Sequence, residues 1–556
     1  MLQRVLQKIL DRYRATRLDR LDWITRNRLV MEKGRRQLEA SAQKHAQDTD
    51  RKTVLFWGVM PWERGGVEHM IAKSMEARGH QIHGVMCSGD FSACSMESIL
   101  FPRPSCGDCV ERHQRLLESV GLEKHYRPIK DYISEDERKN LEKKIDACTP
   151  QELKDLIIEG VPVGEKAYAD LPQYYFKIVS LDDPDVVDYY RRAVKGIAQY
   201  TLAASKALDV IRPDRAMTTS GRTVAFSGFF ELCKLKNIPV VTWDESVGGL
   251  GAFTFCLNDL AVYYNKPEAW RKLSEEPLSD EEESFIQYYF SRTAKGSFGR
   301  HQYYSAPITE KKKLMEDLGL CPDKKLTVLL TNLTWDTSAL NKDVGFKSMF
   351  HWISSTIERY YDDPNHQIVV RTHPAEGHAA AYARGCESIS QLLEKRFPDL
   401  PSHIKVISGQ QEHSSHALAE LADHIAVYTT TVAIEMAVRG RGVMVVGLSH
   451  YRGKGFTTDI ESPEQYFEIL DQSKPLPNVS EDQIRLAKKY AHYFIVRTEV
   501  YIPEFSFKDR HSYKVLNASE LLPDGARHWE ALCRNIEELG DFIDCSEYID
   551  PWKTTH

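Results

Sequence analysis

The chain lacks any apolar run that approaches the about 20 residues needed to span a bilayer. It also lacks a dominant charge. Its 73 Lys+Arg stand against 80 Asp+Glu, a net charge of −7, so non-specific nucleic-acid binding is not favoured and no nucleic-acid partner is expected. The 11 cysteines are scattered through 556 residues rather than framed as a small disulfide scaffold, which suits a reducing compartment. No repeat of solenoid period is present. The opening MLQRVLQKILDRYR is too charged for a secretory signal. These absences describe a globular protein expected in the cytoplasm, with the inner face of the inner membrane as a peripheral address. The length predicts about two to four domains, and the 42% hydrophobic content is ample for their cores.

Residues 1–50 read as a basic amphipathic extension. Leu2, Val5, Leu6, Ile9, Leu10 and Tyr13 share one helical face, and Arg4, Lys8, Arg12 and Arg14 crowd the rest. Such a helix can lie on an anionic membrane or pack on a protein surface. Residues 51–305 read as a first α/β domain with a helical insertion. Val54 to Met60 is a strand, and Trp62 to His69 is a turn into a helix, where Gly65 and Gly66 allow close approach of a ligand. Cys87, Cys94, Cys106 and Cys109 follow. Four thiolates, with His113 as a substitute ligand, can hold a structural zinc, although the spacing matches no standard finger. Further on, the strand Asp214–Ser220 ends at Gly221-Arg222 and the strand Ile238–Thr242 ends at Trp243-Asp244-Glu245, which delivers Arg222 and the two acids to one sheet edge. Adjacent residues on an extended chain point to opposite sides, so one of Asp244 and Glu245 faces the cleft, with Glu245 preferred.

Residues 306–480 read as a second α/β domain. Leu326–Leu330 is a strand that runs into Thr331-Asn332-Leu333-Thr334-Trp335-Asp336. Gln367–Val370 is a strand halted by Arg371-Thr372-His373-Pro374, since proline continues neither strand nor helix. Ile425–Tyr428 is a strand followed by Thr429, Thr430 and Thr431, which can cap a helix from Val432 to Arg439 and leave its backbone N–H groups free for phosphate. The strand Val443–Gly447 then leads to a loop with His450, Arg452 and Lys454 among glycines, suited to an anionic ligand. Residues 481–556 read as a helical tail that packs back on the body.

RTHPAE, then YTTTVAIEMAVRG some fifty residues on, then GLSHYRGKGFT, resembles the bacterial capsular polysaccharide synthesis proteins. These resemble glycosyltransferases of the GT-B architecture, including the Kdo transferases that use CMP-Kdo. The match covers roughly Leu326 to Asp459. It implies an α/β fold of two Rossmann-like domains facing a cleft, with the nucleotide-sugar donor in the second and a glycan or lipid-linked acceptor entering from the first. On this resemblance Arg371, His373, Thr429, Thr430 and Thr431 belong to the donor phosphate region. Glu435 would accept from a ribose or sugar hydroxyl, and His450, Arg452 and Lys454 would meet the donor's anionic part. Gly65, Gly66 and Arg222 fall on the acceptor side, and Glu245, Asp244 and Asp336 are the candidate catalytic carboxylates. No DxD pair is placed to bind a metal, so catalysis is expected to need no cofactor. The leading expectation is a metal-independent glycosyltransferase that builds a capsular or lipopolysaccharide-type glycan. A polyol-phosphate transferase of teichoic-acid type with a CDP-activated donor and a non-catalytic GT-B scaffold remain alternatives.

Overall fold

The computed structural model describes residues 34–47, 50–58, 66–99, 103, 105–246, 251–263, 266–293, 307–336, 339–377, 387–472, 475–505 and 517–546. The basic amphipathic stretch over residues 1–33 and Gly65 therefore lie outside the described residues. Among the described residues no helix is long and apolar enough to cross a membrane.

The first half is built on β1 (Thr53–Phe56), β2 (Gln81–Met86), β3 (Tyr126–Pro128), β4 (Arg215–Thr219), β5 (Val240–Glu245) and β6 (Ala252–Leu257). The strand order β3-β2-β1-β4-β5 is parallel throughout, and β6 adds antiparallel to β5. Short apolar runs such as Val54-Leu55-Phe56 are buried on both faces, as a parallel sheet covered by helices requires. Helix Pro184–Ile211 supplies much of that cover. Asp183 caps it by accepting from the Asp185 N–H, Pro184 occupies the position whose N–H would go unused, and its buried stripe includes Tyr190, Ala193, Ile197 and Ala204.

The second half holds β7 (Lys325–Leu330), β8 (His366–Arg371), β9 (Ile404–Ile407), β10 (His424–Val427), β11 (Met444–Val445) and β12 (Thr458–Asp459). All six are parallel in the order β12-β11-β10-β7-β8-β9. From β7 the chain winds first to one side through β8 and β9, then to the other through β10 to β12. That doubly wound order opens a crevice between β7 and β10 at their carboxyl ends. Two such units form the GT-B arrangement implied by the resemblance.

The chain then returns. Helix Glu481–His492, started by a Ser480/Gln483 capping box, packs on helix Val432–Val438 of the second half. It passes into β13 (Glu499–Tyr501), which joins the first sheet antiparallel to β6. Helix Arg527–Glu538 lies against helix Gly66–Ala77, with Trp529 fully buried between the first half and the tail.

One strand end differs from expectation. Asp244 and Glu245 were expected beyond the strand, but β5 runs through both, paired with Thr254 and Phe253 of β6. The returning strand extends the ladder past the apolar residues, and the Asp244 carboxylate accepts from the Glu245 N–H at 2.8 Å.

Candidate functional site

The crevice of the second sheet is stitched across its mouth. Asn332, just after β7, accepts from the backbone N–H of Thr429, just after β10, at 3.0 Å. Tyr428 donates to Asp343 at 2.5 Å and Tyr451 donates to the Thr430 carbonyl at 2.7 Å, which fixes the polar turn and the loop after β11 against each other. On the facing side, the segment after β6 runs back along the first sheet. Thr242 donates to the Asp259 carbonyl at 2.6 Å, and the Leu260 side chain packs on Gly221 at the end of β4. Between the two halves lies a cavity of about 490 Å³ lined by Asp259, Tyr263 and Lys266 from the first and by Lys342, Thr429, His450, Arg452, Lys454, Asp459 and Glu461 from the second, with Tyr490 and Tyr493 of the tail.

The cavity is rich in ammonium groups. Lys342 sits 3.5 Å from the centre of the Tyr263 ring, a cation–π contact. Burial, with the nearby Arg222 charge, drags its pKa down to about 8, and Asp259 pulls the other way. Burial lowers Lys266 to about 8 as well, and its ammonium donates to the Phe542 carbonyl at 3.2 Å. Burial also lowers Lys454, whose ammonium has no hydrogen-bond or ion-pair partner among the described residues. His450 is held neutral: burial, then Lys342 and Lys454, push it down to about 3. Tyr490 donates to the His450 carbonyl at 2.8 Å and lies 2.8 Å from its Nδ1, which assigns the ring proton to Nδ1. Arg452 does a different job. Its guanidinium donates to the carbonyls of Val445 at 3.0 Å and Ile460 at 2.7 Å and to Glu461 at 2.6 Å, tying the basic loop to the strand it follows.

The other expected residues do not line this cavity. Arg371 is buried at the end of β8 and donates to the Ser408 carbonyl at 2.7 Å; the half-buried His373 accepts from the Ala375 N–H at 3.1 Å. Thr430 is half-buried. Thr431 is exposed at the start of helix Val432–Val438, without a side-chain capping bond. Glu435 is buried and its carboxylate lies 2.9 Å from His416 Nε2. Burial opposes the charge on His416, but Glu435 outweighs it and raises its pKa. Asp336 sits in a turn whose backbone carbonyl accepts from Ala339 and Leu340. Arg222 stands at the carboxyl end of β4 with its guanidinium 6.0 Å from the centre of the same Tyr263 ring that carries Lys342. Gly66 opens helix Gly66–Ala77.

Cys87 accepts from the Gly89 N–H at 3.3 Å and Cys94 from the Met96 N–H at 3.4 Å, while Cys106 and Cys109 occupy the first turn of helix Cys106–Val120. All four are free thiols. Their soft donors suit zinc, but among the described residues no three metal-binding side chains are grouped to hold an ion. His113 packs instead on His69, Nε2 to Nε2 at 2.9 Å.

Sequence reasoning missed Lys266, Tyr263 and Lys342, which carry no motif and meet only through the fold. It also passed over Glu68. This carboxyl is buried in the first turn of helix Gly66–Ala77, and burial raises its pKa to about 8 against a 3.3 Å bond from the Trp243 indole. Its Oε1 has no partner among the described residues. An acid one turn into a helix after the first strand of a doubly wound sheet is the signal that marks it.

No family model matches the chain, and no curated protein is similar to it. Among solved structures it is similar to Thermosulfurimonas dismutans KpsC, described as a beta Kdo 2,4 transferase, at 14% identity over 52% of this chain and 82% of that one, with a TM-score of 0.34. It is also similar to the S. aureus MnaA–UDP co-structure, at 12% identity over 62% of this chain and 89% of that one, TM-score 0.23. The calicheamicin glycosyltransferase CalG4 is similar at 12% identity over 80% of this chain and 94% of that one, TM-score 0.23.

Proposed function

We propose that the chain is a glycosyltransferase that moves a sugar from a nucleotide-activated donor to a growing surface glycan of capsular or lipopolysaccharide type. CMP-Kdo is the candidate donor that the motif resemblance suggests. The observation that carries the reading is the cavity between the carboxyl edges of two doubly wound sheets, walled by Lys266, Lys342 and Lys454, whose ammonium groups have no ion-pair partner among the described residues. Lys266 is buried and Lys342 and Lys454 are half-buried; cations partly withdrawn from water without a paired counter-ion are costly, and an anionic ligand lowers that cost.

In this reading the donor's phosphate lies against Lys342 and Lys454. As the glycosidic bond breaks, its electron pair leaves with the nucleotide, and fixed ammonium groups stabilise that growing negative charge. In this reading the acceptor approaches from the first half, with Asp244 and Glu245 at the end of β5 and Glu68 in the first turn of helix Gly66–Ala77 as candidate carboxylates, and Asp336 as the candidate in the second half. A group that takes the acceptor proton acts on turnover and little on nucleotide affinity.

Thermal-shift titration against CMP, CDP, UDP, GDP and CMP-Kdo tests the reading, because a ligand bound only by the folded state raises the melting temperature by mass action. One nucleotide is expected to stabilise the protein well beyond the others. Absence of any shift, with no binding by calorimetry, sinks the donor assignment and favours the scaffold alternative. Transfer of glycerol phosphate or ribitol phosphate with release of CMP selects the polyol-phosphate alternative.

A further inference from the structure

We propose that Cys106 and Cys109 form a redox dithiol that closes to a disulfide within the first turn of its helix, with a low-molecular-weight disulfide as its reaction partner. Neither residue lines the cavity between the halves, so the site stands apart from the donor reading. Cys106-Gly107-Asp108-Cys109 opens helix Cys106–Val120, a helix of 15 residues capped by Ser105, whose side chain accepts from the Asp108 N–H. Residues three apart in a helix share a face, and their Cα atoms stand about 5 Å apart, inside the range of about 4.4–6.8 Å that a disulfide spans. The bridge therefore needs no change of fold. Both residues are half-buried and so open in part to a reactant. Where thiols are kept reduced, a CxxC beside a parallel βαβ unit serves as a metal ligand pair or as a redox centre. Among the described residues no three metal-binding side chains are grouped to hold an ion, and a pair is enough for a disulfide.

The surroundings distinguish the two sulfurs. Cys106 packs on the turn that leaves β2. Gly89 holds φ +84° there, and a Cβ on it would lie 2.8 Å from the Cys106 Cβ and 3.7 Å from its sulfur. Arg103 reaches the same turn and donates to the carbonyls of Gly89 at 3.3 Å and Phe91 at 2.7 Å. Its Nε is buried and has no hydrogen-bond partner. Burial opposes the charge of Arg103, but Cys106 beside it, with Cys94 and Glu97, outweighs burial and raises its pKa. A guanidinium donor left over next to a thiol at a helix N-terminus favours the thiolate, the form that attacks a disulfide. Asp108, between the two cysteines, is exposed, where water and salt screen its charge. Cys109 is the more withdrawn sulfur: burial first, then Cys87 and Cys94, push its pKa up to about 12 against the pull of Arg112. Cys106 therefore attacks and Cys109 resolves. The Cys106 thiolate bonds to one sulfur of a glutathione disulfide, whose S–S bond breaks and releases one glutathione thiolate. That thiolate takes the Cys109 proton. Cys109 then attacks the Cys106 sulfur and expels the second glutathione thiolate, which takes from solvent the proton that Cys106 gave up. Two cysteine thiols are oxidised, and one glutathione disulfide is reduced to two thiols.

The experiment uses the full chain, reduced, freed of reductant and analysed for metal. It is exposed to oxidised glutathione, quenched with N-ethylmaleimide at intervals and mapped by peptide mass spectrometry. The expected product is a disulfide between Cys106 and Cys109 that dithiothreitol reverses. Cys109→Ser should instead accumulate a glutathione adduct on Cys106, formed about tenfold or more faster than on the half-buried Cys148 and Cys321. Arg103→Met in the Cys109→Ser background should slow that adduct about tenfold, with the melting temperature as a folding control. If Arg103→Met fails to fold, the rate at Cys106 against Cys148 still decides. Reaction at Cys106 no faster than at Cys148 overturns the proposal. A disulfide from Cys106 to Cys87 in place of Cys109 overturns it as well. So does a wild-type chain that carries zinc on these thiols and keeps them through the exposure. An unchanged rate in Arg103→Met would show that the guanidinium does not activate the thiol and would overturn that part of the site.

Discussion

Glu68 is a carboxyl kept where a carboxylate is poorly solvated. Its folded pKa of about 8 lies above the ordinary value of 4.5, so the folded state holds a proton that the unfolded chain releases. Stability therefore falls as pH rises from about 4.5 towards 8. Glu68→Gln keeps the shape and removes the titration. It should match wild type near pH 4 and exceed it near pH 8, by on the order of 3 kcal/mol. Melting curves across that range check this, and parallel curves for the two proteins would refute it. A cost of this kind is what a fold retains for function rather than for stability. Lys342 gives the second residue-scale prediction. Its depressed pKa of about 8 means that the unliganded ammonium loses its proton as pH rises through that value. An anion binds the protonated form, so nucleotide affinity should fall between pH 7 and 9, with proton uptake on binding near pH 8. In Lys342→Met that pH dependence should weaken; calorimetry in buffers of different ionisation heat reads it directly. The sequence made part of this site legible. His450 and Lys454 follow a recognisable strand and lie among glycines, so their placement could be read locally. Lys342 and Tyr263 could not, because what defines them is a contact between loops of different domains.

At the scale of elements, the parallel strands of the second sheet were readable because each is a short apolar run ending in a polar turn: Leu329-Leu330 into Thr331, Val369-Val370 into Arg371, Val427 into Tyr428 and the threonines. A strand that owes its length to a neighbour is harder to read. β5 continues through Asp244 and Glu245 because β6 supplies ladder partners, and no feature of those two acids announces it. The three residues of β13 carry still less signal; they form a strand because the edge of β6 is waiting for one. The tail helix Arg527–Glu538 makes the element-scale prediction. Trp529 is fully buried in the same core as Phe56, Met70 and Phe253. Trp529→Ala should cost roughly 3–5 kcal/mol of unfolding free energy, the usual range for removing a buried large aromatic side chain. A denaturant titration showing a loss under about 1 kcal/mol would mean that the tail is an appendage and not part of the first-half core.

At the scale of the molecule, the chain crosses between the halves twice, and the two crossings lie together. Helices Pro267–Glu275 and Asp280–Thr293 lead out of the first half and pack on helix Glu481–His492, which leads back. Arg485 donates to the Ser274 carbonyl at 3.1 Å, and the buried Lys489 meets Glu282 at 3.0 Å. Side-by-side crossings tie the two halves together along one flank. They also predict the outcome of a cut. A protease site inserted at the exposed Pro277 should yield two fragments that co-purify as one folded particle under native conditions, since the second fragment carries β13 and helix Arg527–Glu538 into the first half. Fragments that separate on size exclusion without denaturant would show that the return crossing does not hold the halves together.

That return also sets a schedule for synthesis. The edge of β6 is complete at Leu257, but the strand that covers it begins at Glu499, some 240 residues later. At typical elongation rates of about 5–20 residues per second, the first half must wait roughly ten to fifty seconds on the ribosome with that edge uncovered. The half that is made first is therefore the half that is finished last, and its open edge is where a nascent chain of this protein is most exposed to mispairing and most in need of a chaperone.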